Sequence, residues 1–274
     1  MKDIGGKVCV ITGAGSGIGQ ALALELAAHG ARLALSDIDA ERAEHSRAAC
    51  EQRGAREVMA SRVDVSDRAA VFAHADEVLK RFGTVNLVVN NAGVALEGTV
   101  LDTSIEDYEW IMGINFWGVL YGTKAFLPHL IASGNGYVVN ISSVFGLVAV
   151  PGQSGYHAAK FAVRGFTESL REEMLMAGHP VGVSCVHPGG VKTDIARAAR
   201  SDIDERERAE RFEQIARLTP ERAAQIILKG VRARRARILV GNDARALDIL
   251  QRATGSRYQE LVWRVAKRVD AQMR

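Results

Sequence analysis

The chain has 274 residues, 47% of them hydrophobic and 24% charged, with a formal net charge of +3, an ordinary balance for a globular protein. So small a charge, with 6% aromatic residues, excludes a nucleic-acid surface built on a basic face and stacking platforms, and no apolar run reaches the ~20 residues of a membrane span. Cys9, Cys50 and Cys185 are an odd set without metal spacing, and Cys9 and Cys185 sit in apolar runs, which predicts buried thiols, no metal and a reducing, cytoplasmic compartment.

The N-terminal run enters a strand at once, without the pattern of a signal peptide. Residues 7–12, 32–37, 58–64, 85–90, 136–142 and 181–187 form continuous apolar runs, as strands buried on both faces require. Residues 20–30, 40–54, 67–83, 105–131 and 154–178 carry helical spacing between them. This alternation predicts an α/β fold, a doubly wound parallel sheet of Rossmann-like type with right-handed crossovers. Ligands of such a fold lie outside the carboxyl ends of the strands.

The first strand runs directly into Thr12-Gly13-Ala14-Gly15-Ser16-Gly17-Ile18-Gly19 and opens the first helix. Its spacing is Gly-x-x-x-Gly-x-Gly rather than the commoner Gly-x-Gly-x-x-Gly. The physics is shared: glycines permit the tight turn and a close approach to a pyrophosphate, and the helix N-terminus offers free N–H groups. Gly13, Ser16, Gly17, Ile18 and Gly19 are therefore candidate dinucleotide-binding residues. Asp37 ends the second strand, where a carboxylate hydrogen-bonds the ribose 2′-hydroxyl of NAD and repels a 2′-phosphate. The glycine loop holds no arginine or lysine, and Arg42 is the nearest base downstream. NAD is the expected cofactor, with NADP disfavoured. Asp39 is better placed than Asp37 to cap the next helix.

Tyr156 and Lys160 sit four residues apart, one helical turn, and Ser143 stands thirteen positions before the tyrosine. Positions i and i+4 share a helix face. An unperturbed tyrosine titrates near pH ~10, and an ammonium beside it, with the positive charge of an oxidised nicotinamide, favours the phenolate. A hydroxyl at Ser143 would hold a substrate oxygen against the phenol. This is equipment for moving a proton on and off an alcohol.

Beyond His187 the pattern changes. Residues 192–218 are charge-rich with a helical period, and are expected to form a lid. Thr219-Pro220 has the form of an N-cap followed by a proline at the first helical position. Residues 237–240 suggest a last strand, and 243–274 two helices broken near Gly255. The expected division is residues 1–242 for the nucleotide-binding and catalytic domain, with 243–274 as its helical extension. In the tail Tyr258, Leu261, Val262, Val265 and Val269 make an apolar stripe among Arg257, Arg264, Lys267, Arg268 and Arg274. Such a stripe docks on its own domain or a sister subunit, or lies on a membrane surface; docking is the favoured reading.

These ordered motifs resemble the short-chain dehydrogenase/reductase family in its compact, single-domain branch. The likeness spans about residues 7–240 and rests on the glycine loop, Asp37, Asp64-Val65, Asn90-Asn91-Ala92-Gly93, Asn115, Ser143, Tyr156, Lys160 and the run from His187 to Thr193. It implies that Asp64 and Val65 flank an adenine and that Asn91, Ala92 and Gly93 shape the cofactor-side wall. It implies that Asn115 anchors a water in a proton relay through Lys160, which also holds the nicotinamide ribose. Pro188, Gly189, Val191 and Thr193 would close over the nicotinamide, with Phe145 and Gly189 on the substrate side. His187 departs from the asparagine or small polar residue more usual there, and a structural role is expected of it. The family also implies a homodimer or homotetramer through the helices predicted at 105–131 and 154–178.

The expected activity is reversible hydride transfer between NAD and a secondary alcohol or ketone, as oxidoreductases acting on CH–OH groups perform. Val94, Leu96, Val144, Phe145, Leu147 and Val150 offer a mostly apolar wall, which points to hydrophobic small-molecule substrates. Two other readings share the fold: an NAD(H)-sensing regulatory or scaffold protein, and a peripheral membrane enzyme for lipid-like substrates.

Overall fold

The structure is a computed structural model describing residues 3–201 and 204–273, with backbone alone at 211, 265, 266 and 268–273. Its strands are β1 (Val8–Thr12), β2 (Arg32–Asp37), β3 (Glu57–Arg62), β4 (Leu87–Asn90), β5 (Gly136–Ile141), β6 (Val181–Pro188) and β7 (Arg237–Val240). They form one parallel sheet in the order β3-β2-β1-β4-β5-β6-β7. The doubly wound Rossmann-like fold expected from the alternation is therefore present. Strand order reverses between β1 and β4, which opens a crevice at their carboxyl ends.

The helices are α1 (Gly17–Ala28), α2 (Ala40–Arg53), α3 (Arg68–Phe82), α4 (Ile105–Met112), α5 (Gly118–Ala132), α6 (Ser154–Met176), α7 (Glu205–Ile215), α8 (Pro220–Arg232), α9 (Asn242–Thr254) and α10 (Tyr258–Met273). Each strand divides its side chains between two cores, as a pleat of period two demands. Cys9 and Ile11 of β1 join Leu22, Leu26 and Ile227 of α1 and α8. Val8 and Val10 join Val78, Phe126 and Leu170 of α3, α5 and α6. Burying each large aliphatic or aromatic side chain contributes about 1.5–3 kcal/mol. All three cysteines are buried and reduced.

Three departures from the sequence reading have local causes. The helix expected over 105–131 is broken by a π-helical turn, Gly113–Trp117. Its extra residue aims the Asn115 side chain at Val94, whose carbonyl and N–H it meets at 2.8 Å each. The third strand stops at Arg62, because Asp64 turns the chain by accepting the Ser66 N–H at 2.9 Å. Among the described residues of the charge-rich segment only Glu205–Ile215 is α-helical, started by the Asp204 cap. The stretch before it is irregular, and residues 202–203 lie outside the described chain.

Other expectations hold. Asp39 caps α2, and Thr219 caps α8 with Pro220 at its first turn. The tail forms two helices broken at Gly255–Arg257. Tyr258 and Val262 dock against Val144 and Val148, while Leu261 stays 49% exposed. The side chains of Val265, Val269, Arg268 and Arg274, which completed the expected stripe, lie outside the described residues. No helix among the described residues is long and apolar enough to cross a membrane.

His74 on α3 is buried edge-on against Phe126, and neither ring nitrogen has a partner among the described residues. Burial holds its imidazole down to about 4. Between pH 6.5 and 4 the unfolded chain binds the proton more readily than the folded one, so stability is lost as pH falls through that window. The loss approaches about 3 kcal/mol once both forms are protonated. His74→Leu is expected to flatten the fall of the urea midpoint between pH 6.5 and 4.

Candidate active site

At the carboxyl end of β1 the chain turns so tightly that side chains cannot be accommodated. Gly13 has φ +62°, and a Cβ there would lie 2.8 Å from the Ala92 Cα. At Gly19 it would run into the Gly13 carbonyl oxygen. Ser16 precedes α1 in extended backbone without using its side chain as a cap, and the first turn carries no acidic residue. A positive helix terminus with free donors is the result, with Ile18 packed against the core behind it.

Asn91 fastens this loop to the next strand. Its amide donates to the carbonyls of Thr12 and Gly13 at 3.0 Å each, while Thr12 Oγ1 accepts the N–H groups of Asn91 and Ala92. Sequence reasoning placed Asn91 on the wall but not as the staple of the loop. Asp37 accepts the Gly15 N–H at 2.8 Å and the Asp39 N–H at 3.1 Å. It thereby holds a carboxylate at the edge of the loop, and Arg42 turns instead to Asp39 at 3.2 Å. Asp64 is exposed, whereas Val65 is buried against Gly118.

The second half of the site lies beyond β5, where Ser143 begins a short 3-10 turn and its hydroxyl accepts the Phe145 N–H at 3.1 Å. Ser142 is occupied differently, donating to the Lys160 carbonyl at 2.8 Å. Tyr156 and Lys160 share one face of α6, with Nζ 5.5 Å from the phenol ring centre and donating to the Ile141 carbonyl at 3.2 Å. Gly93 lets this cluster converge: a Cβ there would stand 3.0 Å from Asn115 Oδ1 and 3.4 Å from Lys160 Nζ. Ser143, Tyr156, Lys160 and Asn115 are thus brought together beside the glycine loop.

The expected lowering of the phenol draws on the Lys160 ammonium together with an oxidised nicotinamide, and the protein without that cofactor sets the starting point. In the protein alone, burial pushes the Tyr156 phenol up to about 12, with a hydrogen bond from Ser143 acting against it. Lys160 is itself only 3% exposed, and burial brings its ammonium down to about 8. The amine lies over the ring, 5.5 Å from its centre, and desolvation is what dominates the phenol.

Two histidines shape this region, of which only His157 was missed by the sequence reading. His187 is fully buried and its Nδ1 bonds the Ser143 carbonyl at 2.8 Å. Burial holds it down to about 4, so it is a neutral support, as its structural reading anticipated. His157 donates from Nδ1 to the Phe145 carbonyl and accepts the Val150 N–H at Nε2, both at 3.0 Å. It ties the 145–150 loop to the helix carrying Tyr156, and the Phe145 ring meets the phenol edge-on at 6.3 Å. Leu96, Val144 and Leu147 are buried in the wall, and Val94, Phe145 and Val150 are partly exposed.

Residues Pro188–Thr193 cross back over the start of α1, where a Cβ at Gly17 would be 3.0 Å from the Thr193 methyl. Gly189 donates to the Val240 carbonyl at 2.9 Å, and Val191 bridges to Leu218. A cavity of about 550 Å³ opens beside them, lined by Gly17, Thr193, Ala196, Phe212 and Ala216. The segment leading to α7 is hooked down at Arg200, which bonds Asp107 at 2.8 Å and stacks 3.9 Å over Trp110.

A family model for short chain dehydrogenases matches residues 7–204. The "Putative oxidoreductase SadH" of Mycobacterium tuberculosis is 55% identical over 265 residues, 96% of each chain. A short chain dehydrogenase/reductase from Burkholderia phymatum, solved in complex with NAD, superposes with a TM-score of 0.85 at 34% identity, covering 92% of this chain and 95% of that one. An alcohol dehydrogenase from the archaeon Thermococcus sibiricus, complexed with 5-hydroxy-NADP, gives 0.71 at 29% identity over 86% and 94%. By sequence and by architecture the chain belongs to the short-chain dehydrogenase/reductase family of oxidoreductases.

Proposed function

We propose that the protein interconverts a hydrophobic secondary alcohol and its ketone with NAD as hydride carrier. The observation that carries this reading is the convergence of Ser143, Tyr156, Lys160 and Asn115 at the carboxyl ends of β4 and β5, next to a loop shaped for a pyrophosphate. The residues fit a dinucleotide. Gly13, Ser16, Gly17, Ile18 and Gly19 would receive its phosphates, Asp37 its adenine-side ribose, and Asp64 and Val65 its adenine. Asn91, Ala92 and Gly93 form the wall toward the nicotinamide, and Pro188, Gly189, Val191 and Thr193 cover it. When bound, the nicotinamide accepts or supplies the hydride and, oxidised, brings a positive charge.

The chain's own residues supply position and proton transfer. Ser143 donates a hydrogen bond to the substrate oxygen. Tyr156 takes the hydroxyl proton in oxidation and returns it in reduction. Lys160 adds positive charge near the phenol and binds the ribose, and Asn115 holds a relay water. Phe145 and Gly189 face the substrate, and the segment 192–218 serves as its lid. Trp117 and Phe161, 44% and 38% exposed on the helices flanking the site, support association into a dimer or tetramer.

The test is a screen of hydrophobic secondary alcohols and ketones with NAD and NADP in parallel. Turnover of at least one pair, faster with NAD, is expected; no absorbance change with any pair defeats the reading. Asp37 supplies a sharper check. Its carboxylate repels a 2′-phosphate, so Asp37→Ala is expected to shift the NAD-to-NADP ratio of kcat/KM by about tenfold or more toward NADP.

A further inference from the structure

The segment that follows β7 touches both halves of the site through two side chains that the chemistry above does not use. Asp243, in the first turn of α9, accepts the Gly190 N–H at 2.7 Å, a charge-assisted bond. Its carboxylate fills the space where a Cβ on Gly189 would stand. Gly189 is held from the same side by the Val240 carbonyl, and a Cβ on Gly190 would meet the Ile215 carbonyl oxygen at 2.7 Å. The loop therefore lies between the extension on one side and the end of α7 on the other.

Tyr258, at the start of α10, is 7% exposed and packs with Val144 and Val148. Its hydroxyl accepts the Ala149 N–H at 3.0 Å. The neighbouring Val150 N–H is held by His157, so the loop bearing Phe145 is gripped from the Tyr156 helix and from the extension at once. Without the Tyr258 hydroxyl the 147–149 stretch keeps its apolar contacts but loses its fixed height over the site.

We propose that α9 and α10 carry two positioning residues with separate duties, Asp243 holding the cofactor-side loop through Gly190 and Tyr258 setting the substrate-side wall, and with it chain-length specificity, through Ala149. This rests on the proposed activity for its substrate arm. The duties separate because the two hydrogen bonds reach different loops.

The experiment uses the full-length chain with Asp243→Asn and Tyr258→Phe. It measures NADH affinity by fluorescence without substrate, kcat and KM for a secondary octanol and for isopropanol, and hydrogen exchange of the peptides holding Gly190 and Ala149. Asp243→Asn is expected to weaken NADH by about tenfold and speed exchange around Gly190, with the octanol-to-isopropanol ratio of kcat/KM unchanged. Tyr258→Phe is expected to leave NADH affinity alone and speed exchange around Ala149. It should lower the octanol-to-isopropanol ratio about fivefold through KM. Variants that shift the same constants together, or that lower only the thermal midpoint, overturn the proposal. If the unmodified chain turns over neither these two alcohols nor any pair of the wider screen, the activity reading fails on its own. The positioning roles then stand or fall on NADH affinity and on exchange at the two loops.

Discussion

Tyr156→Phe is expected to cut turnover in both directions by about a thousandfold while NADH affinity stays within about twofold, since general acid–base catalysis contributes 10²–10⁴. The phenol ring keeps its edge-on contact with Phe145 in the variant, so the fold and the wall are preserved and only the proton carrier is removed. In the protein alone burial holds that phenol up to about 12, so near neutrality it stays protonated and cannot take a proton. The Lys160 ammonium and the proposed oxidised nicotinamide would lower it, and the Ser143 hydroxyl already acts in that direction. The base form serves oxidation and the acid form reduction. Oxidation by the unmodified chain should therefore rise with pH to a plateau, and reduction should fall over the same range. A Tyr156→Phe chain that retains a tenth of the activity, or keeps the same pH profile at reduced rate, removes Tyr156 from the chemistry.

How much of this was legible in the sequence depends on the distance over which each feature is built. Local periodicity was enough for β1, where Val8 and Val10 face one core and Cys9 and Ile11 the other. It was enough to place Tyr156 and Lys160 on one helix face, and glycine chemistry was enough for the turn at Gly13. The π-helical turn at Asn115 escaped because one extra residue barely disturbs the apolar period on either side of it. The polar core linking Asn90, Asn140, Thr123 and Thr167 escaped for a different reason. Its members come from β4, β5, α5 and α6, and their hydrogen bonds join residues 27 to 50 positions apart. The grips of Asp243 on Gly190 and of Tyr258 on Ala149 span 53 and 109 positions. No window on the chain contains both partners. The phenol's upward shift in the protein alone was not legible, because helical spacing brings an amine near a ring without revealing how much solvent either has lost.

Lys160→Met tests the other side of that burial, because the same loss of solvent that tunes the amine makes it expensive to keep. The ammonium is 3% exposed, donates to the Ile141 carbonyl at 3.2 Å, and is brought down by burial to about 8. Between pH 8 and 10.5 the unfolded chain holds this proton when the folded chain does not, so the lysine's contribution to stability rises with pH across that window. Below pH 8 the folded state bears the full penalty, about 3 kcal/mol. Methionine fills similar space without a charge, and loss of the single bond to Ile141 offsets about 1 kcal/mol of the gain. Lys160→Met is therefore expected to unfold at higher denaturant than the unmodified chain at pH 7, by about 1–2 kcal/mol, with the advantage gone by pH 10.5. Turnover should fall at least a thousandfold in the same protein if, as proposed, Lys160 supplies both a ribose contact and the charge beside the phenol. Such an exchange of stability for activity is the mark of a group retained for chemistry rather than for folding. A variant that is less stable than the parent at pH 7 would show that Lys160 is held for its packing, and a variant that still turns over would take the amine out of the reaction.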